Sequence, residues 1–183
     1  MRRLGIAAVA LSAMMASTSM SYAGPEIVSG PGYDPACFAA WDDNVDYFQW
    51  PAREGPFRIA LVNGFVGNTW RIQMVQTAKA AVMEEDIGSR ISEFRVVSTG
   101  DDAPAQLGAI EDFINQGFDA IVTIAVAPEG FDRVIRLADQ NDVVIVPFDN
   151  VLDSRAVMQV NEDQLEMGRT WAQFIVDELA AQG

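Results

Sequence analysis

From residue 57 onward, short apolar runs alternate with amphipathic stretches. Residues 58–63 (RIALVN) form a nearly continuous apolar run, the pattern of a strand buried on both faces. A glycine-bearing turn at 64–67 follows, and Ile72, Val75, Ala78 and Val82 then recur at helical spacing. Residues 93–98 predict a second strand. Asp101 or Asp102 is placed to cap the next helix, with Pro104 in its first turn. Leu107, Ile110, Phe113 and Ile114 make that helix's apolar stripe, and Gly117 ends it. Residues 120–126 predict a third strand. Phe131, Val134, Ile135 and Ala138 mark a third helix, and 143–148 a fourth strand. Residues 157–160 read as a fifth strand. Leu165, Gly168, Ala172, Ile175 and Leu179 line a last helix.

Strand and helix alternating at this spacing predict an α/β fold: a doubly wound parallel sheet with right-handed crossovers and helices on both faces. Ligands of such sheets bind beyond the carboxyl ends of the strands, where the winding direction reverses. The loops at 65–71, 127–130 and 149–151 are therefore the segments to search.

The front of the chain has a different texture. Residues 1–23 read as a signal peptide: Arg2 and Arg3, an apolar run at 4–15 too short to span a bilayer, then Ser21-Tyr22-Ala23. Residues 24–56 are rich in Gly, Pro, Asp and aromatics and lack periodicity. They are expected to be an irregular arm whose aromatics (Tyr33, Phe38, Trp41, Tyr47, Phe48, Trp50) pack on the domain behind it. With no other long apolar run, no stable membrane insertion is expected, and export places the product in the periplasm of a Gram-negative source.

Composition narrows the chemistry. The chain has 12 basic and 26 acidic side chains, a net charge of −14, no histidine and one cysteine, Cys37. A nucleic-acid binder needs a basic face, which this balance argues against. Without histidine there is no Ser-His-Asp triad, His-based zinc site or imidazole shuttle. A single cysteine forms no internal disulfide or CxxC pair. No metal site and no cofactor are expected, and neither phosphate-binding glycine signature is present.

The candidate chemistry is that of binding. Asn68 fits either a helix cap or a ligand contact. Trp70 fits either core packing or stacking on an apolar ligand face. Arg71 presents paired donors suited to adjacent hydroxyls or a carboxylate. Asp149 directly follows the run VVIVPF, so it sits at a strand's carboxyl end, where a carboxylate accepts from two hydroxyls. A phospho-acceptor role for Asp149 would need an acidic pair after the first strand, where Asn63-Gly64-Phe65 stands instead. The pairs Glu84-Glu85, Asp101-Asp102 and Glu111-Asp112 read as solvated helix ends and faces.

With the leader, the segments FRIALVNGFVGNTWRIQM, GFDAIVTIAVAP and VVIVPFDN together resemble a periplasmic sugar-binding protein of an ABC transporter, of the type I, ribose- and galactose-binding-like class. The resemblance runs from Phe57 to about Leu179. It implies two α/β lobes closing over a monosaccharide that is handed to an ATPase-driven ABC permease in the inner membrane. It places ligand contacts at Asn68, Trp70, Arg71, Asp149 and Asn150. Two departures stand out: Asn150 occupies a position often held by Arg, and Ala125 one commonly polar. On this reading 57–150 is the first ligand-binding lobe, and 151–183 is a crossover and the start of an incomplete second lobe. The ligand implied is a sugar or polyol. The competing reading is a periplasmic ligand-sensing input protein for a receptor kinase, which would share the same pocket. A repressor core conflicts with the leader and lacks a basic helix-turn-helix. An enzyme lacks a base or nucleophile arrangement.

Overall fold

A computed structural model describes residues 25–30 and 45–182. The expected leader and much of the arm, including Cys37, Tyr33, Phe38 and Trp41, lie outside the described residues. The described parts of the arm carry two short strands, β1 (Glu26–Val28) and β2 (Tyr47–Gln49), paired antiparallel. Three-residue strands are too short to leave a periodic signal in the sequence, so this stretch reads there as irregular. Phe48 and Trp50 pack against each other, 6.1 Å between ring centroids. Arg53 ties the arm to the domain by donating to the Asp142 carbonyl at 2.7 Å.

The domain is built on a four-stranded parallel sheet in the order β4-β3-β5-β6. Its strands are β3 (Phe57–Asn63), β4 (Ile91–Ser98), β5 (Ala120–Ile124) and β6 (Val144–Pro147). The α/β, parallel, helix-flanked architecture is the one the sequence predicts. The chain steps from β3 outward to β4, then returns past β3 to β5, so the winding direction reverses between β3 and β5.

Helices occupy both faces. On one face α3 (Ala103–Asn115) and α4 (Asp132–Gln140) cover Ala60, Val62, Ile121 and Ile145 with Ile110, Phe113, Ile114, Val134, Ile135 and Ala138. Asp102, not Asp101, caps α3, accepting from the Ala105 amide at 2.9 Å. Gly117 ends it at φ 72°, a left-handed turn that glycine enters without a Cβ penalty. On the opposite face lies α1 (Thr69–Ala81), capped by Asn68. The expected stripe on α1 is only half right. Val75, Ala78 and Val82 are partly buried, but Ile72 is exposed, and no residue of α1 is fully buried. A short helix, α2 (Glu85–Gly88), precedes β4.

The expected fifth strand at 157–160 is corrected to a single parallel bridge between Phe148 and Val160. Here a side chain takes the place of a ladder. The Gln159 amide accepts from the Leu152 backbone N–H at 2.6 Å and donates to the carbonyls of Leu152 and Ser154. The last helix, α5 (Gln164–Ala181), forms as expected and is capped by Asp163, but none of its residues is buried. Among the described residues no helix is long and apolar enough to cross a membrane.

Candidate functional site

Three strand ends converge where the winding reverses. At the end of β3, Asn63 is the first polar residue after the apolar run, and its side chain is wholly buried. Its amide donates to the Phe65 carbonyl at 3.1 Å and to Ser98 Oγ at 3.3 Å, which shapes the loop. Its Oδ1 accepts from Arg71 Nη1 at 2.8 Å. Gly64 follows against the end of β5, where an added Cβ would lie 2.4 Å from Val126 Cγ2. This close approach of two chain segments requires glycine.

Asn68 Oδ1 accepts from the Arg71 amide at 2.8 Å, fixing the first turn of α1. That turn presents Trp70, 52% exposed, with Arg71 beside it, the guanidinium 5.6 Å from the indole centroid. Arg71 Nη2 stands 4.0 Å from Asp149 Oδ2. Trp70, Arg71 and Asp149 are thus brought together, although 78 residues separate Arg71 from Asp149 in the chain.

Asp149 adopts φ 62°, a left-handed conformation that Asp and Asn tolerate better than other side-chain-bearing residues. The returning chain holds it there: the Asp149 amide donates to the Val160 carbonyl at 3.0 Å, and the Val160 amide to the Pro147 carbonyl at 3.0 Å. Asn150 turns back to the sheet, its amide donating to the Ala125 carbonyl at 2.6 Å. It therefore ties the end of β6 to the end of β5.

Gln106 performs the same service from α3. Fully buried, it donates to the Ile124 carbonyl and accepts from the Val126 amide, each at 2.9 Å. Sequence reasoning passed over Gln106 and Asn63. Each is a lone polar residue in an apolar pattern, which is the signal that could have found them.

The charges are unevenly paired. Burial pushes the Asp149 carboxyl above the usual carboxylate value; the Glu162 charge adds to this, and Arg71 opposes it. Burial lowers the Arg71 guanidinium, against the raising influence of Asp149 and Asp101. Asp101 and Glu162 thus belong to the site's electrostatics. Glu162 had no signal in the sequence because only the chain's return brings it near. The arrangement offers an exposed indole, a forked cation and a carboxylate in one open corner, a set that recognises hydroxyls and an apolar ring face. Among the described residues, no group of three His, Cys, Asp or Glu side chains is placed to hold a metal.

A family model described as periplasmic binding protein domain matches residues 59–183. The chain belongs to the periplasmic binding protein family. A search of the curated proteins gives no match. Among solved structures, an ABC transporter solute binding protein from Thermobispora bispora is 28% identical, with a TM-score of 0.55 over 58% of this chain and 34% of its own. A periplasmic ribose ABC transporter structure from Conexibacter woesei is 18% identical, with a TM-score of 0.58 over 68% and 40%. The periplasmic binding component of the arabinose ABC transporter from Shewanella sp. ANA-3, bound to arabinofuranose, is 22% identical, with a TM-score of 0.53 over 66% and 40%. This periplasmic binding protein chain therefore spans between a third and two fifths of the length of these structures. The latter two likenesses bear on the fold, whose parallel sheet and flanking helices they share.

Proposed function

We propose that the chain is a solute-binding protein for a sugar or polyol, working outside the cytoplasm, in the periplasm, and handing its ligand to an ABC permease. The observation that carries this reading is the meeting of Trp70, Arg71 and Asp149 at the reversal point of the sheet. Parallel α/β sheets place ligands at that point. In this proposal Trp70 stacks on the apolar face of the ring. Arg71 donates to adjacent hydroxyls, and Asp149 accepts from them. Asn68 and Asn150 hold the two loops, with Asn68 serving as cap and Asn150 as strap, and add contacts at the rim. The lobe comprises 57–150, and 151–183 leads away from it. The reading is a binding one, not an enzymatic one, in keeping with the Thermobispora bispora structure described as a solute binding protein.

Calorimetric titration of the purified chain against a panel of pentoses, hexoses and polyols tests this reading, with Trp70 fluorescence as a second readout. The site is open to water, where each hydrogen bond competes with solvent, so affinity is expected to be roughly millimolar, about −4 kcal/mol. Asp149→Ala should abolish the measurable heat. A panel that leaves both calorimetry and fluorescence unmoved, or an Asp149→Ala variant binding as well as the parent, would remove the proposal.

A further inference from the structure

The Asp149 carboxylate is aimed at Arg71 by a backbone that does not hold itself. Asp149 sits at φ 62°, a region that side-chain-bearing residues keep only where their surroundings impose it. What imposes it here is narrow. The Asp149 amide donates to the Val160 carbonyl and the Val160 amide to the Pro147 carbonyl, each at 3.0 Å. The bridge between Phe148 and Val160 is isolated, with no ladder on either side. A lone bridge keeps its register only if the chain between its two arms is itself fixed.

Residues 150–159 make that excursion. The outgoing arm is anchored three times. Asn150 donates to the Ala125 carbonyl, the Leu152 side chain is buried in the core, and the Asp153 amide donates to the Pro128 carbonyl at 3.0 Å. The returning arm is anchored by Val157 in the same core. One side chain then joins the two arms. Gln159 Oε1 accepts from the Leu152 amide at 2.6 Å, while Nε2 donates to the Leu152 carbonyl at 3.1 Å and the Ser154 carbonyl at 2.9 Å. The carboxamide pairs with Leu152 as a neighbouring peptide group does in a sheet, and it does so at the residue that precedes Val160.

The chemistry of the position is selective. It needs an acceptor for one N–H and a donor for two carbonyls, on a side chain long enough to cross the loop. Glutamate would set acceptor oxygens against both carbonyls, and lysine or arginine would leave the Leu152 amide without a partner. Asparagine has the right groups but is one methylene too short.

We infer that Gln159 is a positioning residue of the candidate site: by closing 152–159 it seats Val160 against Pro147 and Asp149, and so holds the Asp149 carboxylate toward Arg71. Its consequence for binding rests on the proposed sugar site; its consequence for the geometry of Asp149 does not. The groups acting on that carboxylate are Arg71 from α1 and Glu162 from the returning chain, with Asp101 acting on Arg71 from the loop after β4. Burial outweighs these charges at Asp149. Once released from Val160, the carboxyl turns into water, and its titration should move down toward the ordinary 3.8.

Carbon-13 NMR of the carboxyl groups reads this in the purified chain without any ligand, the Asp149 signal being the one missing from Asp149→Asn. In Gln159→Leu, Asp149 should titrate closer to 3.8 than in the parent, while Glu93, held low by Arg58 at the other end of the sheet, should not move. An Asp149 titration equal to the parent's overturns the inference. So does a shift of Glu93 alongside it, since the effect is then a loosening of the whole domain. If circular dichroism shows that Gln159→Leu does not fold, Gln159→Asn carries the same measurement with the same outcomes. Against the sugar that binds the parent, the folded variant should lose roughly tenfold in affinity, and unchanged affinity overturns the inference. A parent that binds no sugar removes the proposed function and leaves the carboxyl titration to decide the role of Gln159.

Discussion

Arg71 Nη1 donates to Asn63 Oδ1 across 2.8 Å, so the cation of the candidate site is anchored by a side chain with no exposure to solvent. The same Asn63 amide shapes the loop through the Phe65 carbonyl. Asn63→Ala should therefore damage fold and site together. Orphaning buried partners costs about 1–3 kcal/mol, and urea unfolding should show a midpoint lowered accordingly. Sugar binding should weaken in the fraction that remains folded, because Arg71 loses its fixed direction.

Gln106→Met is the complementary case, acting on the sheet without touching any charge. The volume is kept, but the Ile124 carbonyl and the Val126 amide lose their partner. Stability should fall by about 1–3 kcal/mol for each group left buried and unpaired. Amide exchange at Val126 should rise more than at Ile145, which sits in a ladder that the substitution leaves intact.

Short apolar runs made the parallel sheet and its strand sequence legible, and helical spacing the α3 and α4 stripes, because burial imposes each pattern directly. What the pattern could not carry was anything decided by contacts distant in the chain. Glu162 reaches Asp149 only through the bridge at Val160, and Gln159 turned an expected strand into a side-chain-braced loop. Ile72 looked like core on α1 because helical spacing says which residues share a face, not whether another element covers it. Asp149 was readable from its place after an apolar run. Its left-handed backbone was not, since Asp is compatible with several conformations.

That backbone conformation gives a ranking. Asp149→Asn and Asp149→Gly should retain stability, whereas a β-branched residue cannot occupy φ 62° without strain. Asp149→Val should lower stability by about 1–2 kcal/mol relative to Asp149→Gly. Thermal unfolding of the three variants side by side checks the order, separately from any effect on ligand.

The raised Asp149 carboxyl couples the site to pH in two opposite senses. For stability, a carboxyl raised on folding contributes fully below its unfolded value, ordinarily 3.8, and the contribution is lost as pH rises through the higher folded value. For binding, an ionised acceptor is needed, so sugar affinity should fall as pH drops through that same folded value. Asp149→Asn should flatten the pH profile of unfolding just above 3.8. Titrations of the parent at falling pH should show the loss of affinity. Glu93 acts the other way on stability. A hydrogen bond from Arg58 holds its carboxyl below 4.5, so its contribution is present above that value and lost as pH falls.

The Arg58–Glu93 pair, 2.7 Å apart, and the Asp119 carboxylate that accepts from the Arg58 amide at 2.7 Å lie at the amino end of the sheet. Trp70, Arg71 and Asp149 lie at the carboxyl end. The hidden pair Asn63 and Gln106 serves the framework directly beneath the corner where a ligand would rest. Lineages descended from such a chain are free to trade the indole, the guanidinium and the rim amides for other groups while the clasp at the far end keeps the sheet closed. New ligand preferences then arise by drift at one pole of the molecule, with selection for foldedness concentrated at the other.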